Sequence, residues 1–345
     1  MALFNAKNSK AFLAPIFLLG FFFISGLELK GAQSLGVCYG GSANGDNLPP
    51  ESEVVGLCKT YGIGRMRIYS PYPEILQALR DSNIEIMVGV PNDSLQALAD
   101  QSAASDWVQR NIKDYSSNVK FKYISVGNEV DPTSTTAQFV LPAMQSIYKA
   151  IADSGLQNQI KVSTAVDTNL LGVFDPPSAG AFRENARTFI EPIIGFLVGN
   201  GAPLLANIYP YFRVRYNNQS VSYALFNAPG TVVHDGQLEY QNLFDALMDA
   251  LYSALERTNG GSLSIVVSES GWPSAGGAVE TIENAGTYYR NLINHVKGGT
   301  PKRPGNAIET YLFGLFDESR KSEEIEKHFG LFYPSKTLKY DIRFS

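Results

Sequence analysis

From residue 35 onward, short runs rich in β-branched and aromatic residues alternate with longer stretches of helical periodicity, and this alternation limits the possible folds more than any other feature. The runs are SLGVCYG near 34–40, RMRIYS near 65–70, IEIMVGV near 84–90, FKYISVGNE near 121–129, IKVSTAV near 160–166, PLLANIYP near 203–210, LSIVVSES near 263–270 and IETYLFGLF near 308–316. Stretches such as IMVGV and SIVVS are continuously apolar, as expected for strands covered on both faces in a parallel sheet. Between the runs lie segments such as YQNLFDALMDALYSALERTNG, in which Leu243, Phe244, Leu247, Met248, Leu251 and Leu255 form an apolar stripe at helical spacing and Gly260 is placed to stop it. Strand then helix, repeated eight times, predicts an α/β protein, a (β/α)8 TIM barrel. The alternative, an open doubly wound sheet binding a nucleotide, needs G-x-G-x-x-G at its first turn; the chain has YGGSANGDNLP there, and no G-x-x-x-x-G-K-[ST] anywhere.

One domain is therefore expected over residues 33–345. A small insertion subdomain after strand six, about 211–237, reads as polar and aromatic without helical periodicity, and is placed over the barrel mouth. Residues 1–32 differ in character. Lys7 and Lys10 precede the uncharged run AFLAPIFLLGFFFISGL, which is short for a bilayer span, broken by Pro15 and followed by Gly31 and Ala32. That pattern predicts a cleaved secretory signal rather than a membrane anchor, with the cut left open because Lys30 stands where a small residue is usual. The net charge of −5 becomes more negative without this leader, and no basic cluster interleaved with aromatics is present, so nucleic acid is not expected as a partner. Two cysteines do not make a disulfide framework in a chain this long; Cys38 and Cys58 are expected as buried free thiols. Asn92 and Asn218 begin glycosylation sequons that export would make available.

In a barrel, catalytic groups project from the C-terminal ends of the strands. The fourth run ends in VGNE, placing Glu129 beside Asn128 at the top, and the seventh ends in VVSESGWPS, placing Glu269 there with Trp272 close behind. Two opposed carboxyl groups flanked by aromatic residues, here Tyr69, Tyr209, Phe212 and Trp272, suit glycosidic bond cleavage: one protonated to donate to the leaving oxygen, the other ionised. Each glutamate taken alone reads more readily as a surface carboxylate; it is the pair at two strand tops that points to catalysis. Competing chemistries lack their residues. His234, His295 and His328 form no H-x-x-x-H pair, so neither a metal nor another cofactor is expected, and no G-x-S-x-G elbow exists.

The segment SIVVSESGWPSAG, with SLGVCYG, MRIYSP, VGNEV, NIYPYF and LFDESRKSEEIEKHFGLFYP, resembles the plant glucan endo-1,3-β-glucosidases of glycoside hydrolase family 17 over the whole chain from Gln33. The resemblance implies a (β/α)8 barrel with Glu129 as acid/base and Glu269 as nucleophile. It also implies retaining cleavage of internal β-1,3 linkages in (1,3)-β-glucan, and a role in plant defence or callose and cell-wall turnover. It makes Glu318, Lys321 and Glu326 supporting charges near the nucleophile, Lys321 helping to keep Glu269 ionised, and gives Asn128 the 2-hydroxyl of the sugar. Ser319 and Arg320 depart from the family pattern, as does Cys58 where an aromatic is usual. Hydrolysis against transglycosylation, pure 1,3- against mixed 1,3;1,4-glucans, and an inactive carbohydrate-binding barrel stay open as alternatives. A monomer without a membrane anchor is expected. The cell-wall space is favoured over the vacuole because the chain ends at -RFS without a long extension.

Overall fold

The computed structural model describes residues 35–344, so the segment read as a leader lies outside the described residues. Eight parallel strands close into a barrel: β1 (Leu35–Tyr39), β2 (Arg65–Ile68), β3 (Glu85–Val90), β4 (Lys120–Asn128), β5 (Lys161–Asp167), β6 (Leu204–Asn207), β7 (Ile265–Ser270) and β8 (Thr310–Leu312). Each hydrogen-bonds its sequence neighbours, and β8 returns to β1. Every one of the eight runs is a strand. The crossovers contain α1 (Glu51–Thr60), α2 (Pro73–Ala78), α3 (Gln101–Val108), α4 (Ala137–Asp153), α5 (Glu184–Asn200), α6 (Pro210–Asn217), α7 (Leu243–Arg257) and α8 (Ile282–His295).

The caps explain where several helices begin. Asp100 accepts from the Ser102 and Ala103 amides at α3, Asn242 from Asp245 N at α7, and Thr281 from Asn284 N at α8. The α7 stripe is buried as the spacing requires. Among the described residues no α-helix follows β8. The chain instead makes a short 3-10 helix, Glu324–His328, and its tail lays Phe332 and Phe344 against Tyr61 at the end of α1. Gly330 and Pro334 interrupt any periodic stretch there.

Inside the barrel, Cys38, Met87, Tyr123, Ala165, Leu205, Val266 and Tyr311 form one packed layer. Side chains alternate along a strand, so the inward residue two positions after Leu205 is Asn207, and after Val266 it is Ser268. The interior thus changes from apolar to polar toward the C-terminal rim. Both cysteines are free and buried, and burial pushes the Cys58 thiol up to about 12.

The segment 211–237 corrects the sequence reading, because it contains helix. Pro210 opens α6 in the position proline favours, Asn218 ends it with a left-handed φ of 57°, a short turn follows at Val221–Ala224, and Val233–Asp235 pairs with Leu238–Tyr240. An eight-residue helix with only Pro210 and Tyr211 buried is too short to leave a periodic signal. It is bolted down by Glu280, which accepts from Arg215 at 2.7 Å and Tyr211 Oη at 2.6 Å. No described helix is long and apolar enough to cross a membrane.

Candidate active site

Both glutamates follow an irregularity in their strand. The β4–β5 register shifts between Ser125 and Asn128, and β7 shifts against β6 between Val267 and Glu269. A bulge at a barrel rim re-aims the residue after it. At β4 the turn runs through Gly127 at φ 78° and Glu129 itself at φ 49°, a left-handed backbone that a glutamate adopts only when its surroundings impose it. Those surroundings are visible. Asn92 accepts from Asn128 N at 2.8 Å and donates to Asn128 O at 2.9 Å, replacing ladder bonds lost at the bulge, and Glu129 N donates to Ala165 O at 2.9 Å. Both sequon asparagines are exposed, but the amide of Asn92 is engaged in the site, whereas Asn218 stands at the end of α6.

Glu269 is 6% exposed and gripped by three donors. Arg67 Nη1 reaches its Oε1 at 2.9 Å, Tyr69 Oη the same oxygen at 2.6 Å, and Tyr209 Oη its Oε2 at 2.8 Å. Arg67, 1% exposed, also donates to Asn207 Oδ1, Ser268 O and, through Nη2, Asn128 Oδ1 at 2.7 Å. A buried guanidinium with planar, forked donors can orient four acceptors at once, which lysine cannot. Asn207 passes the arrangement on, donating to Glu129 Oε1 at 2.9 Å.

Glu129 has a different environment. Its carboxyl is open to the cleft, yet protein crowds it on most sides. Burial first, and the Glu269 charge second, push it up to about 7, partly opposed by the Asn207 hydrogen bond. Two carboxyl groups in one cleft are thus held apart in character: one a half-desolvated acid, the other saturated with donors.

The sequence-predicted residues sort by geometry. Glu129, Glu269, Asn128, Tyr69, Tyr209, Phe212, Glu318, Lys321 and Glu326 all line one recess of about 340 Å³. Trp272 is corrected: it is fully buried, its Nε1 donates to Val279 O, and its ring packs edge-on against Tyr211, so no face is free for a sugar. Three residues past Glu269 the chain has already turned back into the core. Tyr69 and Tyr209 point their hydroxyls at Glu269, which makes them donors to that carboxylate as well as wall. The cation on Glu269 is Arg67 and not Lys321, which pairs with Glu318 at 3.5 Å. Glu318 is pushed upward by burial, and its carboxyl lies so close to Gly40 that any side chain there would collide with it. Ser319 and Arg320 bind Asp46, knitting the loop after β8 to the loop after β1.

Arg67 and Asn207 were absent from the sequence-based set. A signal for both existed: each lies two residues before a named tyrosine, Tyr69 or Tyr209, and so shares its inward face. Beyond Glu129 the cleft continues into two further recesses. One, of about 420 Å³, is lined by Asp167, Asn207, Tyr209, Phe212 and Tyr216; the other, of about 450 Å³, by Asp131, Pro132, Asp167, Arg183 and Arg213. Tyr216 is 68% exposed and lies nearly parallel to Phe212, ring centroids 6.1 Å apart, one turn along α6.

Comparison with known proteins finds relatives over nearly the whole described chain. The family described as glycosyl hydrolases family 17 matches residues 35–344. A glucan endo-1,3-β-glucosidase of Vitis vinifera is 58% identical over 337 residues, covering 96% of this chain and 97% of that protein. The basic vacuolar isoform of glucan endo-1,3-β-glucosidase from Nicotiana tabacum is 53% identical, covering 98% and 92%. Among solved structures, one from a pair of plant β-glucan endohydrolases with distinct substrate specificities is 48% identical with a TM-score of 0.85, over 89% of this chain and 99% of that one. A β-1,3-glucanase and allergen of Cryptomeria japonica pollen is 46% identical with a TM-score of 0.87, over 90% and 99%.

Proposed function

The chain belongs to glycosyl hydrolase family 17, and on that premise we propose that it is an endo-acting glucan 1,3-β-glucosidase working by retaining double displacement. The observation that carries the reading is the contrast between the two glutamates. Glu269, facing Arg67 and two phenols, is the nucleophile that attacks the anomeric carbon. Glu129, lifted to about 7, donates its proton to the departing glycosyl oxygen and then, as base, takes one from the water that resolves the covalent intermediate. Asn128 is the group for the 2-hydroxyl; Arg67 fixes its Oδ1, so its amide nitrogen is free to face the sugar. Glu318, Lys321 and Glu326 supply the polar wall of the nucleophile's recess. The leader pattern, Lys7 and Lys10 before an uncharged apolar run, supports secretion to the cell-wall space, as a monomer, in defence or callose turnover.

The test is a comparison of laminarin with a mixed 1,3;1,4-glucan, with anomeric configuration followed by proton NMR. Laminarin is expected to be cleaved internally with retention of configuration. Faster turnover of the mixed glucan would move the linkage assignment, and an inverted first product would remove the covalent intermediate.

Tyr216 extends the leaving-group side. Its exposed ring continues the surface that Phe212 offers, and stacking on the C–H faces of a sugar contributes on the order of 1 kcal/mol. Tyr216→Ala is therefore expected to lower kcat/KM on laminari-oligosaccharides about fivefold without changing the thermal midpoint. Unchanged kcat/KM across oligosaccharide lengths would show that the ring is not a platform.

A further inference from the structure

A groove of about 640 Å³ that holds no part of the glutamate pair lies between α4 and α5, floored by the loop after β4. Pro132 lines both this groove and the recess beside Glu129, so the two lie next to each other on the face beyond that carboxyl. Each flanking helix carries an interior proline, Pro142 in α4 and Pro192 in α5, and both face the groove. A proline inside a helix destabilises it and supplies no N–H to the carbonyl four residues back. Here those carbonyls belong to Gln138 and Thr188, and both residues line the same groove. Two adjacent helices thus forgo a backbone hydrogen bond at one shared place. The apolar part of the lining is Leu141, Pro142, Phe189 and Pro192, the polar rim is Thr133 and Ser134, and no charged side chain contributes.

Apolar faces bordered by hydrogen-bond acceptors, without charge, match a neutral sugar chain, whose rings offer C–H faces and hydroxyl donors at their edges. They do not match an ionic partner. We propose that this groove is a remote subsite that holds the leaving-group end of a long β-1,3-glucan whose scissile bond lies between Glu129 and Glu269. The proposal rests on the assignment of Glu129 as the acid, which sets the leaving-group side of the cleft. It gives the enzyme a grip on polymer beyond the reach of short oligosaccharides, with no effect on the chemical step.

Pro192→Ala tests it, because alanine returns the missing N–H to the Thr188 carbonyl and trims an apolar face while favouring the helix. The expected result is an unchanged or higher thermal midpoint, a KM on long-chain laminarin raised about fivefold, and unchanged kcat. KM on laminaritriose, which carries too few glucosyl units beyond the cleaved bond to reach the groove, should not move. Phe189→Ala, with its fold checked by unchanged turnover of laminaritriose, should raise the laminarin KM in the same way. Wild-type cleavage of both substrates with the laminarin KM unaltered in both variants would overturn the groove assignment alone. So would a change confined to self-association in sedimentation, which would make the groove a contact between copies. A wild-type protein that cleaves no β-1,3-glucan would overturn the functional reading, and the groove with it.

Discussion

Glu269→Gln is expected to reduce kcat on laminarin by on the order of 10⁴-fold or more, with the protein still folded. Glutamine keeps an oxygen for Arg67 and Tyr69 but cannot form the glycosyl ester, so the two-step route closes. The ion pair it removes is buried, at 2.9 Å between side chains 1% and 8% exposed. Leaving a guanidinium there without its counter-charge costs about 3 kcal/mol or more in isolation. Two features soften that cost. Asn207, Asn128 and the Ser268 carbonyl still accept from Arg67, and Glu129, relieved of the Glu269 charge that helps to lift it, ionises more readily and supplies a nearby anion. The variant should therefore melt lower than wild type yet cooperatively, and a circular dichroism melt beside a reducing-sugar assay separates the two effects. Turnover near the wild-type rate in a folded Glu269→Gln protein would sink the nucleophile assignment.

The barrel was legible in the sequence because parallel strands buried on both faces must be short apolar runs and their crossovers must be longer, so the alternation itself counts the strands. The glutamates were legible for the same reason: a strand's C-terminal end is a position in the sequence, and two runs end in Glu. What stayed hidden depends on more than one strand. Arg67 looks like either of the two arginines in RMRIYS, and only closure of the barrel brings β2, β4, β6 and β7 together around it. Lys321 was given its task because it is close in sequence to an acidic patch; in space the nearer cation comes from the opposite end of the chain. Trp272 was misread because an aromatic three residues past a strand end can lie on either side of the rim, and here the Tyr211, Tyr288 and Val279 contacts draw it inward. Helix α6 escaped because eight residues with two buried positions carry no period to detect.

Glu129→Gln is expected to lower laminarin turnover on the order of 10³-fold and to abolish the alkaline limb of the pH profile. In wild type, donation requires the protonated acid, so kcat/KM should fall as pH rises through about 7, the value to which burial and the Glu269 charge push this carboxyl. A substrate with a dinitrophenyl leaving group needs no proton, and its first step should survive the substitution, a split that misfolding would not produce. The substitution acts on stability in the opposite sense to activity. The folded protein holds the Glu129 proton more tightly than the unfolded chain, whose carboxyl has the ordinary value of 4.5. That contribution is fully present below the unfolded value and is lost as pH rises through about 7. Glutamine cannot ionise, so at about pH 8 the variant should melt above wild type, and at about pH 4 the two should converge. The carboxyl is open to cleft water, so the gain is smaller than full burial would give. A Glu129→Gln protein that melts with wild type at both pH values, or a wild-type profile flat across neutrality, would show that this carboxyl is not the raised acid. The left-handed backbone at Glu129, held by Asn92 and the Ala165 carbonyl, and the desolvation of its carboxyl both work against stability at the same residue. Glutamine relieves the second and not the first, and it does so at the expense of the proton that the reaction needs.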